Sequence, residues 1–322
     1  MSGLTQRALT EADAGAFLEL ANTANAADGA DERLGEADYL DMLNYPLSVP
    51  DLDDFIGLFD GDRLAAMAWV ARRTTAEPVH WMHGEGAVHP DYRGRGLGTR
   101  LVRWQQSLAP VVHERYFPGH ALEFSSGAME GNAGARELLA NEGFAPVRWF
   151  FEMVRPEGAP VEEPRLPDGL DLEMYSDAVS EELRLVNDEV FADHWRGTPT
   201  SREEWEYWIG REKMRPENSL LLRDRATGEI AGYLVASFSD AEFQRTGVRD
   251  IHFNLIGTRR AHRKRGVASG LIAHAVRIAN AAGYRTASLG VDAENPSGAL
   301  GLYRRHGFER KKAWVVYNKE LG

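Results

Sequence analysis

The sequence predicts an α/β protein built from two tandem copies of one mixed, mostly antiparallel sheet with flanking helices. Three observations carry that prediction. A basic, glycine-containing turn occurs twice, as Arg93-Gly94-Arg95-Gly96-Leu97-Gly98 and as Arg263-Lys264-Arg265-Gly266-Val267-Ala268, 170 positions apart (263 − 93 = 170), and both copies fit Arg-x-x-Gly-x-Gly/Ala. Each copy follows a stretch that reads as a strand and leads into helical periodicity. Further landmarks repeat at nearly the same distance: Gly143-Phe144 maps to Gly307-Phe308 (307 − 143 = 164), and Asn132 maps to Asn295 (295 − 132 = 163). A chain of 322 residues with that repeat is a tandem duplication whose halves have the size of ordinary domains.

Composition narrows the class. Hydrophobic residues make up 43% and charged residues 27%, the balance of a water-soluble globular chain. The longest unbroken apolar run, residues 64–71, is far short of a membrane span, and the amino terminus lacks an apolar signal core, so a cytoplasmic protein that does not engage a membrane is expected. The absence of cysteine excludes disulfides, thiolate metal sites and a cysteine-linked acyl-enzyme. A net charge of −12 argues against nucleic acid as a partner, while the two locally basic turns point to a discrete anionic ligand.

In the first half, residues 4–9 read as a strand, and Thr10 followed by Glu11 and Asp13 starts a helix with Phe17, Leu18 and Leu20 behind it. A second helical piece covers 36–43 and stops before Pro46. Residues 55–59 and 64–70 form a hairpin around Asp60-Gly61-Asp62, and a strand over 80–88 delivers the chain to the first turn. Leu97, Leu101, Trp104 and Leu108 then mark one face of a helix. A strand over 122–125, a short helix over 132–141 closed by Gly143, and a strand over 147–154 complete the half.

Four prolines among glutamates and glycines between 155 and 169 make a stiff polar segment that cannot build a core. The domains expected are therefore 1–155 and 169–322, with a linker over 156–168. The second half repeats the order: strand 170–175, helical stretches 178–195 and 201–209, a hairpin of 220–223 with 230–238, and strand 251–258 before the second turn. Val267, Leu271, Ala275, Ile278 and Ala282 form a helical face. Strand 287–291 follows, then a short helix opened by Asn295 as N-cap with Pro296 in its first position and closed by Gly307, then a terminal strand over 314–318.

Each basic turn reads either as an exposed loop with solvated arginines or as a bed for phosphate. In the second reading small residues admit the ligand, amides at a helix start point at it, and arginines add charge-assisted bonds. Two copies in matching contexts favour the phosphate bed. Dinucleotide fingerprint spacing, the Gly-Lys-Ser/Thr of a triphosphate loop and the second histidine of a zinc helix after His113-Glu114 are all missing, and no metal is expected.

Strand, Arg-x-x-Gly-x-Gly/Ala turn, helix, strand, Asn, short helix with Tyr and then Gly-Phe resemble the GNAT superfamily of acyl-CoA-dependent N-acetyltransferases. The match spans nearly the whole chain twice and is fullest in the second half, at 263–268, Asn295, Tyr303 and Gly307-Phe308. The resemblance implies acetyl-CoA as cosubstrate, with its pyrophosphate on Arg263, Lys264, Arg265, Gly266, Val267 and Ala268. Its pantetheine arm would lie along Ile256, Gly257 and Thr258, near Asn295. In the first half the matching positions are Val88 and Arg93, Gly94, Arg95, Gly96, Leu97 and Gly98. It also implies two strands that splay to admit the thioester.

Transfer to an amine needs an unprotonated nucleophile, a polarised carbonyl and a proton for the leaving thiolate. Tyr303 is the candidate proton donor, or else a core aromatic. Counting back four from Gly143 gives Leu139 where the same count from Gly307 gives Tyr303, so the second half is expected to be catalytic and the first degenerate. Alternation places Asp250, His252 and Asn254 on one side of their strand, and among them His252 has the most suitable unperturbed pKa for a base, unless it simply packs in the sheet. Glu85 on the first-half strand reads as a relic base or a solvated residue. The run from Phe191 through Asp193 and His194 to Trp195 reads as a pocket for a cationic amine or as a plain amphipathic helix. The expected activity is acetyl transfer to a small-molecule amine by direct attack, in a monomer or homodimer. An acyl-CoA sensor without turnover and a protein-lysine acetyltransferase are the alternatives.

Overall fold

A computed structural model describes residues 3–30, 33–160, 163–210, 214–295 and 298–321. In chain order the elements are β1 (Thr5–Ala8), α1 (Ala14–Ala27), α2 (Glu36–Leu43), β2 (Phe55–Asp60), β3 (Arg63–Ala71), β4 (His80–Val88), α3 (Leu97–Tyr116), β5 (Leu122–Met129), α4 (Ala133–Asn141) and β6 (Ala145–Arg155). Then come β7 (Leu170–Met174), α5 (Ser180–Phe191), α6 (Arg202–Ile209), β8 (Leu220–Asp224), β9 (Ile230–Ser237), α7 (Asp240–Thr246), β10 (Asp250–Thr258), α8 (Val267–Ala281), β11 (Thr286–Asp292), α9 (Ala299–Arg305) and β12 (Glu309–Glu320). The fold is mixed α/β with mostly antiparallel pairing. No helix among the described residues is long and apolar enough to cross a membrane.

The chain divides into two compact units, Met1–Trp149 with Trp314–Gly322, and Phe150–Ala313. The first unit orders its strands β1-β2-β3-β4-β5 and closes with the Trp314–Glu320 part of β12, antiparallel to β5. The second orders β7-β8-β9-β10-β11 and closes with the Phe150–Arg155 part of β6, antiparallel to β11. Each unit therefore takes its last strand from the sequence of the other repeat. The proline-rich segment belongs to the second unit and lies against α8. A Cβ on Gly270 would come within 2.8 Å of the Arg165 carbonyl oxygen. Buried Arg155 holds the start of that segment, donating to the carbonyls of Ala159, Pro160 and His306.

Local chemistry explains the helix starts. Asp13 accepts from the Thr10 amide and hydroxyl at 2.9 Å while pairing with Arg7, which fixes the entry to α1. Ser201 and Glu204 form the reciprocal box at α6. In the first unit the face of β4 carrying Met82 packs with Val102 and Val112 of α3, and the other side of the sheet carries Phe17 and Tyr39 from α1 and α2. In the second unit Ile251 and Phe253 pack with Leu271 and Val276 of α8, while Tyr233, Val235 and Leu255 pack with Val186 and Val190 of α5.

Two features of the central strands position the site. The parallel pairing of β4 with β5 runs from His80 opposite Leu122 to His83 opposite Ser125, and that of β10 with β11 runs from Asp250 opposite Thr286 to Phe253 opposite Leu289. Beyond those points β4 and β10 stay bonded to β3 and β9, as far as Val88 and Thr258. Both units thus open a gap between neighbouring parallel strands just before the basic turn. The units differ at the mouth of the gap. The ladder from β9 to β10 skips Asn254, which forms a bulge, whereas β3 and β4 stay in unbroken register.

Candidate active site

The turn after β10 is shaped by left-handed backbone. Arg263 is extended, Lys264 has φ 62°, and Gly266, with φ 87°, caps α8. The same form recurs at Gly94 (φ 72°) and Gly96 (φ 74°), the latter capping α3. The first amides of any helix lack intrahelical acceptors, and at α3 and α8 the glycine cap has no side chain to accept from them, an arrangement suited to holding phosphate. Arg263 Nε donates to the Thr258 carbonyl at 3.3 Å, and Arg93 Nε donates to that of Val88 at 3.2 Å, so the guanidinium group is tied back to its strand in both copies.

Their outer ends differ. Arg93 makes a bidentate pair with Asp28, at 2.8 and 3.0 Å, while Arg263 Nη1 stands 3.8 Å from Asp193. Phosphate at the first turn has to displace a formed ion pair and approach its carboxylate. At the second turn Asp193 is engaged mainly by Arg260, at 2.5 Å, which holds its carboxyl below the usual range. The linker residues Arg165 and Pro167, the turn residues Arg265 and Gly266 and the α8 residues Ser269 and Gly270 line a cavity of about 490 Å³ beside this turn.

Along β10, Gly257 has no room for a side chain, because the Tyr233 ring lies 2.3 Å from where its Cβ would be. Ile256, Gly257 and Thr258 lie beyond the end of the β11 pairing, so they keep one strand partner, β9. In the first unit the strand just before the corresponding stretch is held by Gln105. Its buried side-chain amide donates to the carbonyls of Glu85 at 2.8 Å and Trp69 at 3.0 Å.

Tyr303 of α9 is buried against Phe308, on the side of the sheet that carries α8. Burial pushes its phenol up to about 12. The hydroxyl makes no hydrogen bond to the described residues, so it is available to a ligand. Leu139, its counterpart in the first half, is a buried core residue.

His252 lies on the other side of the strand from Ile251 and Phe253. Its Nδ1 is 2.9 Å from Ser288 Oγ, and Ser288 and Thr286 each donate to Asp250 at 2.5 Å. Burial lowers the pKa of His252, opposed by the charges of Asp250 and Glu152. Burial also raises that of Asp250, opposed by its two hydroxyl partners. Asn254 does not share their side by simple alternation, because the bulge at that residue breaks the period of two.

Asn295 is not the N-cap of α9. That position is taken by Gly298 (φ 74°), and Asn295 sits in the preceding turn with its amide bonded to the Asp292 carbonyl at 3.1 Å. Pro296, expected in the first helical position, lies outside the described residues. The helix predicted through residue 195 ends at Phe191, and Trp195 stands 6.2 Å from Phe150, ring to ring. Sequence reasoning missed Ser288 and Gln105. Ser288 could have been noticed as a polar residue inside an apolar strand, whereas Gln105 looks like any surface position of an amphipathic helix.

The model of the acetyltransferase (GNAT) family matches residues 17–109 and 185–308. A mycothiol acetyltransferase from Thermobispora bispora is 29% identical over 316 residues, covering 96% of this chain and 97% of that protein. A second, from Pseudarthrobacter chlorophenolicus, is 29% identical over 92% of this chain and 83% of its own length. Among solved structures, a GCN5-related N-acetyltransferase from Sphaerobacter thermophilus superposes with a TM-score of 0.77 at 25% identity, covering 100% of this chain and 96% of that one. A tandem GNAT protein of clavulanic acid biosynthesis gives 0.75 at 17% identity, over 99% of each chain, a likeness of fold.

Proposed function

Because the chain belongs to the acetyltransferase (GNAT) family and is an N-acetyltransferase, we propose that its second unit transfers acetyl from acetyl-CoA to a small-molecule primary amine by direct attack in a ternary complex. The observation that carries this reading is the coincidence, in that unit, of a basic left-handed turn, a bulged strand at the mouth of the gap and Tyr303.

Acetyl-CoA binds with its pyrophosphate on residues 263–268 and its pantetheine arm in the gap beside Ile256, Gly257 and Thr258. The bulge at Asn254 frees strand donors to polarise the thioester carbonyl. His252 takes the proton from the acceptor, and Tyr303 donates a hydrogen bond to the departing thiolate from the opposite side of the strand. The first unit has the turn and the gap, but it has Leu139 in place of the tyrosine, an unbulged strand and an arginine committed to Asp28. It serves as a structural partner.

The test is thiol release from acetyl-CoA by the full chain against a panel of small amines, including acceptors of the mycothiol type that the relatives' name suggests. Turnover with one or a few small amines supports the reading. Tight acetyl-CoA binding without thiol release overturns it in favour of a sensor, and turnover confined to lysine peptides overturns the acceptor class.

A further inference from the structure

We propose that Asp250 and Ser288 are positioning residues: a relay that holds His252 in the tautomer with its proton on Nδ1, so that Nε2 is the atom that accepts the proton of the acceptor amine. The inference rests on the reading of the second unit as the transferase and adds to it an orientation device.

The direction of each bond follows from the donors available. Asp250 receives Thr286 Oγ1 on Oδ1 and Ser288 Oγ on Oδ2, both at 2.5 Å, so an ionised carboxylate has one hydroxyl on each oxygen. With its only proton directed at Asp250, Ser288 Oγ can meet His252 Nδ1 at 2.9 Å only as an acceptor. The imidazole proton is thereby placed on Nδ1. Nε2 is left with its lone pair outward, and it carries no hydrogen bond from the described residues.

The groups around the ring suit a base that charges transiently. On β10 the neighbouring charge is Asp250, and β11 contributes the uncharged Thr286 and Ser288. Glu152 of β6 also favours the charged ring, and it is itself held by Lys312 at 3.4 Å and Lys311 at 3.9 Å. Ser237 of β9 stands opposite, and α5 brings Val186 and Val190 to that side of the sheet. When the amine attacks, its N–C bond forms as the thioester C–S bond breaks. The amine proton moves to Nε2, and the imidazolium keeps its Nδ1 proton toward Ser288, with the Asp250 charge behind it. The thiolate leaves hydrogen-bonded to Tyr303 and takes its proton from solvent, while the imidazolium releases the amine proton from Nε2 to solvent, so the proton lost by the amine equals the one gained at sulfur and His252 returns to its neutral form.

The first unit supplies an internal contrast. His83 stands opposite Ser125 there as His252 stands opposite Ser288, but two residues back the carboxylate is replaced by Trp81. The Trp81 indole N–H donates to Ser125 Oγ at 2.7 Å, and Ser125 donates onward to Asn318 at 2.9 Å. The position that carries a carboxylate acceptor in the second unit thus carries an indole donor in the first, and Ser125 donates to Asn318 instead.

Imidazole ¹⁵N shifts of the full-length protein, with the His252 signals identified by their loss in His252→Gln, read the tautomer directly without any acceptor present. The proposal expects the Nδ1–H form in the wild type and a mixture of tautomers in Ser288→Ala and Asp250→Asn. It also expects kcat about 10- to 100-fold lower in both variants with an unchanged KM for acetyl-CoA, and recovery of most of the loss in Ser288→Thr, which keeps the hydroxyl. In Asp250→Asn the acid limb of kcat/KM moves to lower pH, because a charge that favours the imidazolium is gone. An Nε2–H tautomer in the wild type, or His252 shifts unchanged by both substitutions, overturns the relay. The expected tautomer in a protein that releases no thiol with any amine overturns the transferase reading instead.

Discussion

Replacing Tyr303 with Phe isolates the chemistry of one hydroxyl, because Tyr303 lies in the core against Phe308 and the substitution keeps the ring that packs there. With the phenol pushed up to about 12 and a thiol of ordinary pKa near 8.5, full proton transfer to the thiolate is uphill by roughly 3.5 units, about 5 kcal/mol. Tyr303 therefore acts as a hydrogen-bond donor to developing negative charge and not as an acid that surrenders its proton. A hydrogen bond to a charged group contributes about 1.5–3 kcal/mol, so kcat should fall roughly 10- to 100-fold with little change in the KM for acetyl-CoA. Thiol release under saturating amine measures kcat, and thermal unfolding verifies that the core is intact. The wild-type rate should also show no loss on the alkaline side near pH 10 attributable to this phenol. Full kcat in the Phe variant, or a tyrosine-dependent limb near pH 10, refutes the reasoning.

Two further outcomes follow from contacts outside the chemistry. Asp13, held down to about 2 by Arg7 and the α1 cap, stabilises the fold above its unfolded pKa, and that contribution is lost as pH falls toward 2. Because Arg7 is partly exposed, Asp13→Asn should cost about 1 kcal/mol at pH 7 and only about a third of that at pH 2.5, just above the folded pKa, as read from urea midpoints. Gly270→Ala forces a Cβ to within 2.8 Å of the Arg165 carbonyl, so it should destabilise by about 1–3 kcal/mol and speed proteolytic cleavage of residues 156–168, as read by mass spectrometry of the fragments.

The repeat, the basic turns and the strands before them were legible because each is encoded locally. Glycine at 94, 96 and 266 answers a left-handed backbone, and Leu97 to Leu108 and Val267 to Ala282 carry helical spacing on their own. What was not legible depends on partners. β6 and β12 are similar aromatic strands, and nothing in either one says that Phe150–Arg155 joins β11 and Trp314–Glu320 joins β5. The bulge at Asn254 exists only relative to β9, so alternation along β10 placed Asn254 with His252 and missed the break. The true cap of α9 is three residues beyond Asn295, at a glycine whose left-handed φ the sequence does not announce. Ser288 matters only because the strands put it between His252 and Asp250.

The central claim is that the two similar units are unequal and that chemistry belongs to the second. Gly96 and Gly266 allow a matched test, since both cap a helix in the left-handed region and neither has an atom within 4 Å of where a Cβ would stand. Valine at either position carries a similar local strain and blocks the amides beneath it. Thiol release with a saturating amine should fall at least 10-fold in Gly266→Val and stay within twofold of wild type in Gly96→Val. Equal losses in the two variants, or a loss confined to Gly96→Val, would contradict the account.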